Sequence, residues 1–366
     1  MCIRDRLYDY PGAFHVHSTH SDGTATVPRI AAAAQRAGLS WIVVSDHDSL
    51  GALENREAGW YDSTAVLVGY EITPEENHYL VLGLAALLPP SMPTAEIVAS
   101  VKEKGGWGFV LHPDEKRGSY FKAPLPWRER SLRGFNGIEI WNYMSQWTEG
   151  LTERNRFARF LFPTLAVRGP TTDVLGWWDQ ILSEGERVSA VAGLDTHATH
   201  FQFGRLRLEV FPYYRQFGTL VNHIVLRRPL SQEWDAAVQQ IGGALAGGHS
   251  YFAYHAWGKA RGFTFVADRE GESWTIGEEI PPGREVRLSV SSPRWGQIRI
   301  IRDGRLLLRG LGRSLTAAIQ EPGAYRVEVR RFGRPWLFSN PIYLARRRER
   351  LQEERVWIPR VRRPWD

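Results

Sequence analysis

The sequence predicts a mixed α/β region followed by an all-β region, and three observations carry that reading. From about residue 12 to 250, short apolar runs alternate with stretches of helical period. After about residue 258 the pattern changes to period-two alternation, broken by Gly, Asp and Pro. Histidines and carboxylates recur where the apolar runs of the first region end.

The elements follow in order. The run 13–17, "AFHVH", is a short strand, and "VPRIAAAAQRAG" is a helix with Pro28 in its first turn and Gly38 as its stop. "WIVVSDHD" is a buried strand; "AVLVGYEIT" and "HYLVLGL" are two more. "TAEIVASVKEKGG" is a helix ending in glycines, followed by strands at "GFVLHP" and "GIEIWN". "TTDVLGWWDQILSEG" is a helix closed by Gly185, and "VSAVAGLDTHA" is a strand with a polar finish. A last helix lies in "SQEWDAAVQQIGGALAGG". Strand–helix alternation of this kind implies parallel strands, in an open sheet or a closed barrel. Beyond it, "GFTFVAD", "REVRLSVSS", "GQIRIIRDG", "LTAAIQ" and "AYRVEVRR" read as a small antiparallel β-sandwich, with "RDG" as a hairpin turn. The expected division is an N-terminal segment 1–11, a first domain 12–257, a sandwich 258–345 and an Arg-rich tail 346–366.

Composition narrows the function. Hydrophobic residues make up 43% of 366, ample for a packed core. The single cysteine, Cys2, excludes a disulfide framework and a thiolate-rich zinc site, so any metal must be held by His, Asp and Glu. The formal charge is +6, but residues 346–366 hold eight Arg against four acids, leaving +2 for the rest. A near-neutral body does not suit a long nucleic acid. No apolar run of about 20 residues is present, so no membrane partner is expected. A cytoplasmic location is the expectation. The opening "MCIRDR" resembles translated adaptor sequence, which leaves open a lost native start and a lost targeting signal.

The chemistry lies at the strand ends. His15 and His17 close the first strand at i and i+2, a spacing that puts both imidazoles on one side. Asp22 follows in the loop; His47 sits inside "SDHD"; Glu71 ends "GYEI"; His112 precedes Pro113; Glu139 lies in "GIEIWN"; Asp195 and His197 close the last strand. Parallel α/β folds gather ligands at the carboxyl ends of their strands. Imidazole and carboxylate without thiolate suit Zn, Mn or Fe, and nine candidates exceed one tetrahedral ion, so two or three divalent ions are expected.

The ordered set "HVHSTHSDG", "VVSDHD", "GYEIT", "LHP", "IEIW" and "GLDTHA" resembles the PHP (polymerase and histidinol phosphatase) superfamily over residues 12–255. The resemblance implies a distorted seven-stranded (β/α)7 barrel carrying up to three ions. It implies that His15, His17, Glu71 and Asp195 hold the first ion. Glu71 would bridge to a second, completed by His112 and Glu139, and Asp22, His47 and His197 would hold a third. A trailing sandwich and the ending "PWLFSNPIYL" resemble a subgroup of that superfamily.

The expected activity is hydrolysis of a phosphate mono- or diester by a hydroxide held between the ions, with Glu71 and Asp195 catalytic through the metals. The alternative is an amide, carbamate or carboxyl-ester hydrolase using the same ions. A non-catalytic metal-braced module is a third reading. Candidate proton donors are His78 and His200; His20 belongs to the rim. Arg117, Lys116, Tyr120 and Lys122 in the loop after His112, with Asn142 and Trp141 beside Glu139, are candidates for meeting a small anionic phosphoester. His223, His249 and His255 match nothing in the set and are taken as structural.

Overall fold

The structure, a computed structural model, describes residues 7–117 and 124–346. Its first strands are β1 (Tyr8–Val16), β2 (Trp41–His47), β3 (Gly59–Tyr61), β4 (Thr64–Ile72), β5 (Tyr79–Leu82), β6 (Trp107–Val110), β7 (Gly137–Asn142) and β8 (Ser189–Gly193). β1, β2 and β4 pair in parallel, as do β6, β7 and β8. The crossover from β1 to β2 holds the helix Val27–Ala37, which buries Val27, Ile30, Ala31 and Ala34 along one stripe and stops at Gly38 with φ 77°.

β5 departs from the expected parallel order. It runs antiparallel to both β4 and β6. Only residues 73–78 separate it from β4, too few for a crossover helix, so the chain must turn back on itself.

The seven strands β1, β2 and β4–β8 form one ladder, but no closed barrel, which corrects that part of the expected fold. No ladder joins β8 to β1. Two asparagine amides occupy the free edge of β8 instead. Asn340 accepts from the Ala190 N–H at 2.7 Å and donates to its carbonyl at 2.9 Å; Asn222 does the same at Ala192, at 2.9 and 2.6 Å. Each amide imitates one residue of a neighbouring strand and satisfies backbone that would otherwise be buried unpaired. Only beyond Gly193 does the chain meet β1, through Leu194 N–H to Phe14 O, Asp195 N–H to His15 O and His17 N–H to Thr196 O, at 2.9–3.0 Å.

The hairpin β9 (Thr199–Phe203) and β10 (Leu206–Val210) stands as a separate two-stranded sheet. β11 (Leu220–Leu226) pairs antiparallel with β1, and β12 (Ser250–Tyr254) with β11. The sequence reading has no strand at β10, β11 or β12. β11 interrupts its apolar run with Asn222 and His223, so it shows no clean alternation.

The rest is all β, as expected: β13 (Thr264–Arg269), β14 (Glu272–Thr275), β15 (Glu279–Ile280), β16 (Val286–Arg302), β17 (Arg305–Ile319), β18 (Gly323–Arg331), β19 (Arg334–Ser339) and β20 (Ile342–Leu344). The runs read as two strands, "REVRLSVSS" and "GQIRIIRDG", belong to one, β16. It is irregular between Ser291 and Gly296, pairs with β13 before that point and with β18 after it, and carries β17 along both halves. β15 and β20 are parallel, against the expected antiparallel pattern.

β19 pairs with β12, so the two regions share one hydrogen-bonded network. Val225, Tyr251 and Ala253 of the first region lie in the same apolar core as Phe265, Val290 and Trp336. Arg326, 3% exposed, crosses the seam: it binds both oxygens of Asp179 at 2.9 and 2.8 Å and one oxygen of Glu328 at 2.6 Å, while Arg299 takes the other at 2.5 Å. Burial pulls the Arg326 pKa down, but Asp179 and Glu328 hold it above its usual value.

Candidate metal centre

The nine residues singled out in the sequence converge at the carboxyl ends of these strands. Glu71, the penultimate residue of β4 and 1% exposed, is the hub. Its Oε2 lies 3.1 Å from His15 Nε2, 3.4 Å from His17 Nε2 and 3.2 Å from His47 Nδ1. Its Oε1 lies 2.7 Å from His78 Nδ1 and 3.4 Å from His112 Nε2. Asp195 Oδ1 stands 3.5 Å from His15 Nε2 and 3.4 Å from His17 Nε2. At the open rim, Asp22 Oδ1 is 3.0 Å from His197 Nε2 and 3.6 Å from His47 Nε2.

Three groups with metal-binding spacing result: His17, Asp22, His47 and His197; His15, His17 and Glu71; and Glu71, His78 and His112. They share His17 and Glu71, so they adjoin one another.

The local backbone is bent to bring these donors inward. β1 carries one extra residue between Ala13 and Val16 relative to β2, and His15 sits there with φ 67°. A bulge therefore sets the two imidazoles, whose rings are 5.1 Å apart, where simple strand alternation was expected to do so. His112 (φ 25°) and Asp195 (φ 54°) are left-handed too. Such positions cost about 1–3 kcal/mol each and persist where the surroundings impose them, typically at functional sites. Neighbouring side chains hold the loops. Buried Asp46 accepts from Ser18 N–H and Ser18 Oγ at 2.7 Å and from Ser21 Oγ at 2.6 Å, fixing the turn that carries Asp22. Asp48 accepts from Thr73 N–H at 3.2 Å, pinning the exit of β4.

Two residues bear on the ligand set that the resemblance implies. Glu139 was expected as a ligand, but its carboxylate is already taken: Oε1 accepts from His15 Nδ1 at 2.9 Å, and Oε2 from His112 N–H at 2.7 Å and Asn142 Nδ2 at 2.9 Å. In this arrangement it orients His15 from behind. A Cβ on Gly193 would lie 1.3 Å from Glu139 Oε1, so only glycine fits there. His78, expected as a proton donor, stands instead in the group with Glu71 and His112.

Other candidates also move. His200 lies on β9, exposed and paired across the strand with Glu209, because Ala198 (φ 51°) turns the chain outward after His197. Asn142 is 5% exposed and caps the helix Tyr143–Thr148, accepting from Ser145 N–H at 2.8 Å, so it serves Glu139 and the helix rather than a substrate. Trp141, 1% exposed, is core. Arg117 does line the cavity, its Nε 3.0 Å from Glu115 Oε2. Lys116 is exposed and not among the lining residues. Tyr120 and Lys122 lie outside the described residues. His20 meets Glu57 at 2.5 Å at the rim, and His223 is bound to Asp9 at 2.7 Å as a structural histidine.

Asp22, His47, Glu71, His78, His112, Asp195 and His197 line a cavity of about 610 Å³ that also includes Thr73, Pro74, Glu115, Arg117, Leu125, Met144, Ser145, Thr148 and Thr199. Glu115, missed in the sequence, is 6% exposed and accepts from Ser145 Oγ at 3.1 Å and Leu125 N–H at 2.8 Å. No local pattern marks it, since its partners are distant in sequence.

Buried imidazoles and carboxylates at the centre shift one another's protonation. Burial pushes Glu71 up, but the His15 charge and bonds from His112, His15 and His78 hold it well below the usual range. Burial likewise opposes ionisation of Asp195, which His15 and His17 still keep well below normal. Burial lowers His197 and His112, yet Asp22 and Asp195 lift the first to about 9, and Glu71 and Glu115 the second to about 9. His17 falls to about 4 through burial and the neighbouring His197.

No protein-family model and no curated protein matches the chain. Among solved structures, it is similar to a two-domain protein from Bacteroides vulgatus containing a predicted PHP-like metal-dependent phosphoesterase, at 13% identity, covering 92% of this chain and 95% of that one, with a TM-score of 0.46. It is also similar to a putative metal-dependent phosphoesterase from Bifidobacterium adolescentis (16% identity, 56% of this chain, 94% of that one, TM-score 0.32). An amidohydrolase from Chromobacterium violaceum with bound sulfate and no metal matches at 14% identity, over 56% of this chain and 95% of that one, with a TM-score of 0.29. At these identities and TM-scores the likenesses do not define the chain's family.

Proposed function

We propose that the chain is a metal-dependent hydrolase of the PHP type, cleaving a phosphate mono- or diester with two or three divalent ions held at the strand ends. In this reading residues 12–257 form the metal-binding domain and 258–345 a trailing β-sandwich. One observation carries it. Both ring nitrogens of His17, Nδ1 of His47 and Nδ1 of His112 are buried with no hydrogen-bond partner. His17 Nε2 and His47 Nδ1 lie within 3.4 Å of Glu71 Oε2 and yet are not aligned on it as donors. Buried imidazole nitrogens left unpaired beside a carboxylate fit lone pairs directed at a shared cation. The donor set, imidazole and carboxylate without thiolate, suits Zn, Mn or Fe.

His15, His17, Glu71 and Asp195 would hold one ion, Glu71, His78 and His112 a second, and Asp22, His47, His197 and His17 the rim position. Ions bound there supply Lewis acidity toward a phosphoryl oxygen and make hydroxide available near neutral pH. The chain's own residues do the rest. Glu139 fixes the His15 ring so that Nε2 faces the centre. Glu115 holds Arg117 at the cavity wall, where its guanidinium meets an anionic substrate. With His78 committed to Glu71 and His200 turned to solvent, no side-chain proton donor is assigned to the leaving group.

Elemental analysis, with turnover of a nitrophenyl phosphodiester against a nitrophenyl acetate ester, tests the reading. Two or three equivalents of metal and chelator-sensitive diester cleavage are expected. Ester cleavage alone would favour the carbonyl-hydrolase alternative, and indifference to chelator would sink both.

A further inference from the structure

Eleven large apolar side chains are exposed among the described residues, and six of them gather at the end of the molecule where the metal centre opens. Strand directions show this. β12 is antiparallel to β11, which is antiparallel to β1, so β12 ends at the same side as β1 and its histidines. Tyr254, at that end, packs 5.8 Å from Trp141 at the end of β7. β19 runs antiparallel to β12, which brings the β18–β19 turn to the same side, with Phe332 6.3 Å from Trp257. Gly296 of β16 pairs with Gly312 of β17, which places Trp295 and Leu311 beside that turn; Arg331 Nε donates to Trp295 O at 3.1 Å. The helix Arg156–Leu161, beyond the β7 exit, adds Phe157, Leu161 and Phe162. Leu161 shares a groove with Thr219, whose carbonyl accepts from His255 N–H at 2.6 Å.

The exposure is large: Trp295 61%, Leu311 69% and Phe332 77%. Trp295 lies in the irregular stretch of β16, Phe332 in the β18–β19 turn, and Leu311 in β17 next to that irregularity. Around Trp295, Leu311 and Phe332 arginine predominates, while the helix Arg156–Leu161 pairs its Arg156 with Glu153. Residues 286–302, 305–319 and 329–336 contain ten arginines and no carboxylate. Glu328 answers Arg299, and Glu321 answers Arg302. Arg294, Arg309, Arg313 and Arg330 are exposed with no carboxylate partner among the described residues.

We propose that this face docks peripherally on an anionic phospholipid surface. Projecting Trp, Phe and Leu enter the boundary between headgroups and acyl chains, and arginines around them meet lipid phosphates. A single-stranded nucleic acid would use stacking platforms, and leucines at positions 161 and 311 have no π-face to offer. No described helix is long and apolar enough to cross a membrane, and surface contact needs none. It also revises the sequence expectation of no membrane partner, which considered only spanning segments. Docking by this face turns the open mouth of the centre toward the surface.

The test is sedimentation of the full chain with vesicles of phosphatidylcholine alone and with one third phosphatidylglycerol. Binding is expected only to the anionic vesicles, weakening with salt. The triple variant Trp295→Ser, Leu311→Ser, Phe332→Ser should bind about tenfold less tightly or worse, and Arg309→Glu with Arg313→Glu should do the same, both with an unchanged thermal midpoint. The proposal is overturned if the unaltered chain stays in solution with anionic vesicles, or if both variants bind as it does. It is equally overturned if the triple variant loses binding to a single-stranded oligonucleotide but not to vesicles.

Discussion

The mouth of the first region and its seam with the second both bury charge, and they handle it in opposite ways. At the seam, Arg326 meets Asp179 and Glu328, Arg299 completes Glu328, and the Asn340 and Asn222 amides match the donors and acceptors of β8. At the mouth, imidazole nitrogens of His17, His47 and His112 have no partner, and His15, His112 and Asp195 sit in left-handed backbone. A network whose members satisfy one another needs nothing further, so it fixes the architecture. One that leaves donors unpaired and backbone strained is arranged around something absent from the chain.

The comparison can be broken by experiment. Asp195→Ala should cut turnover about 10³-fold or more while leaving the thermal midpoint nearly unchanged. Wild-type activity in that variant would remove the mouth from catalysis. Arg326→Met should do the reverse: it leaves Asp179 with an uncompensated, largely buried charge and Glu328 with Arg299 alone, and lowers stability by about 3–5 kcal/mol in denaturant titration, with activity of the folded fraction intact. Asn340→Ala strands the Ala190 N–H and carbonyl, and should cost about 1–3 kcal/mol in the same titration. A cost near zero would mean water replaces the amide. Glu139→Gln sharpens the boundary between the regions. As a residue acting through His15 it should weaken metal affinity about 10–100-fold without lowering metal stoichiometry at saturation. Loss of a full equivalent would restore Glu139 as a ligand.

Much of the mouth is legible in the sequence because strand ends are local features. An apolar run followed by His or Asp is visible residue by residue, and the nine candidates named from such ends do converge. What misled was orientation. Glu139 and His78 sit near the site in any strand assignment, but which carboxylate faces the centre depends on how β7 and β8 lie together, with Gly193 leaving room for Glu139 to reach His15. His200 and Asn142 failed for the same reason: proximity in sequence to a ligand does not fix the side of the chain on which a side chain emerges.

The seam shows the other limit. "PWLFSNPIYL" reads only as a β-rich ending, although its Asn340 reaches across 150 residues to Ala190. The antiparallel β5, the unclosed edge of β8 and the continuity of β12 with β19 are likewise invisible to periodicity.

By itself the sequence determined the alternation of strands and helices, the change to an all-β end, and the kinds of donor available for a metal, because these depend on composition and on periods of two or 3.6 residues. Tertiary structure alone decided which donors face one another, which are spent on orienting their neighbours, and where an asparagine stands in for a strand. Those outcomes depend on contacts between residues far apart in the chain, which no local pattern encodes.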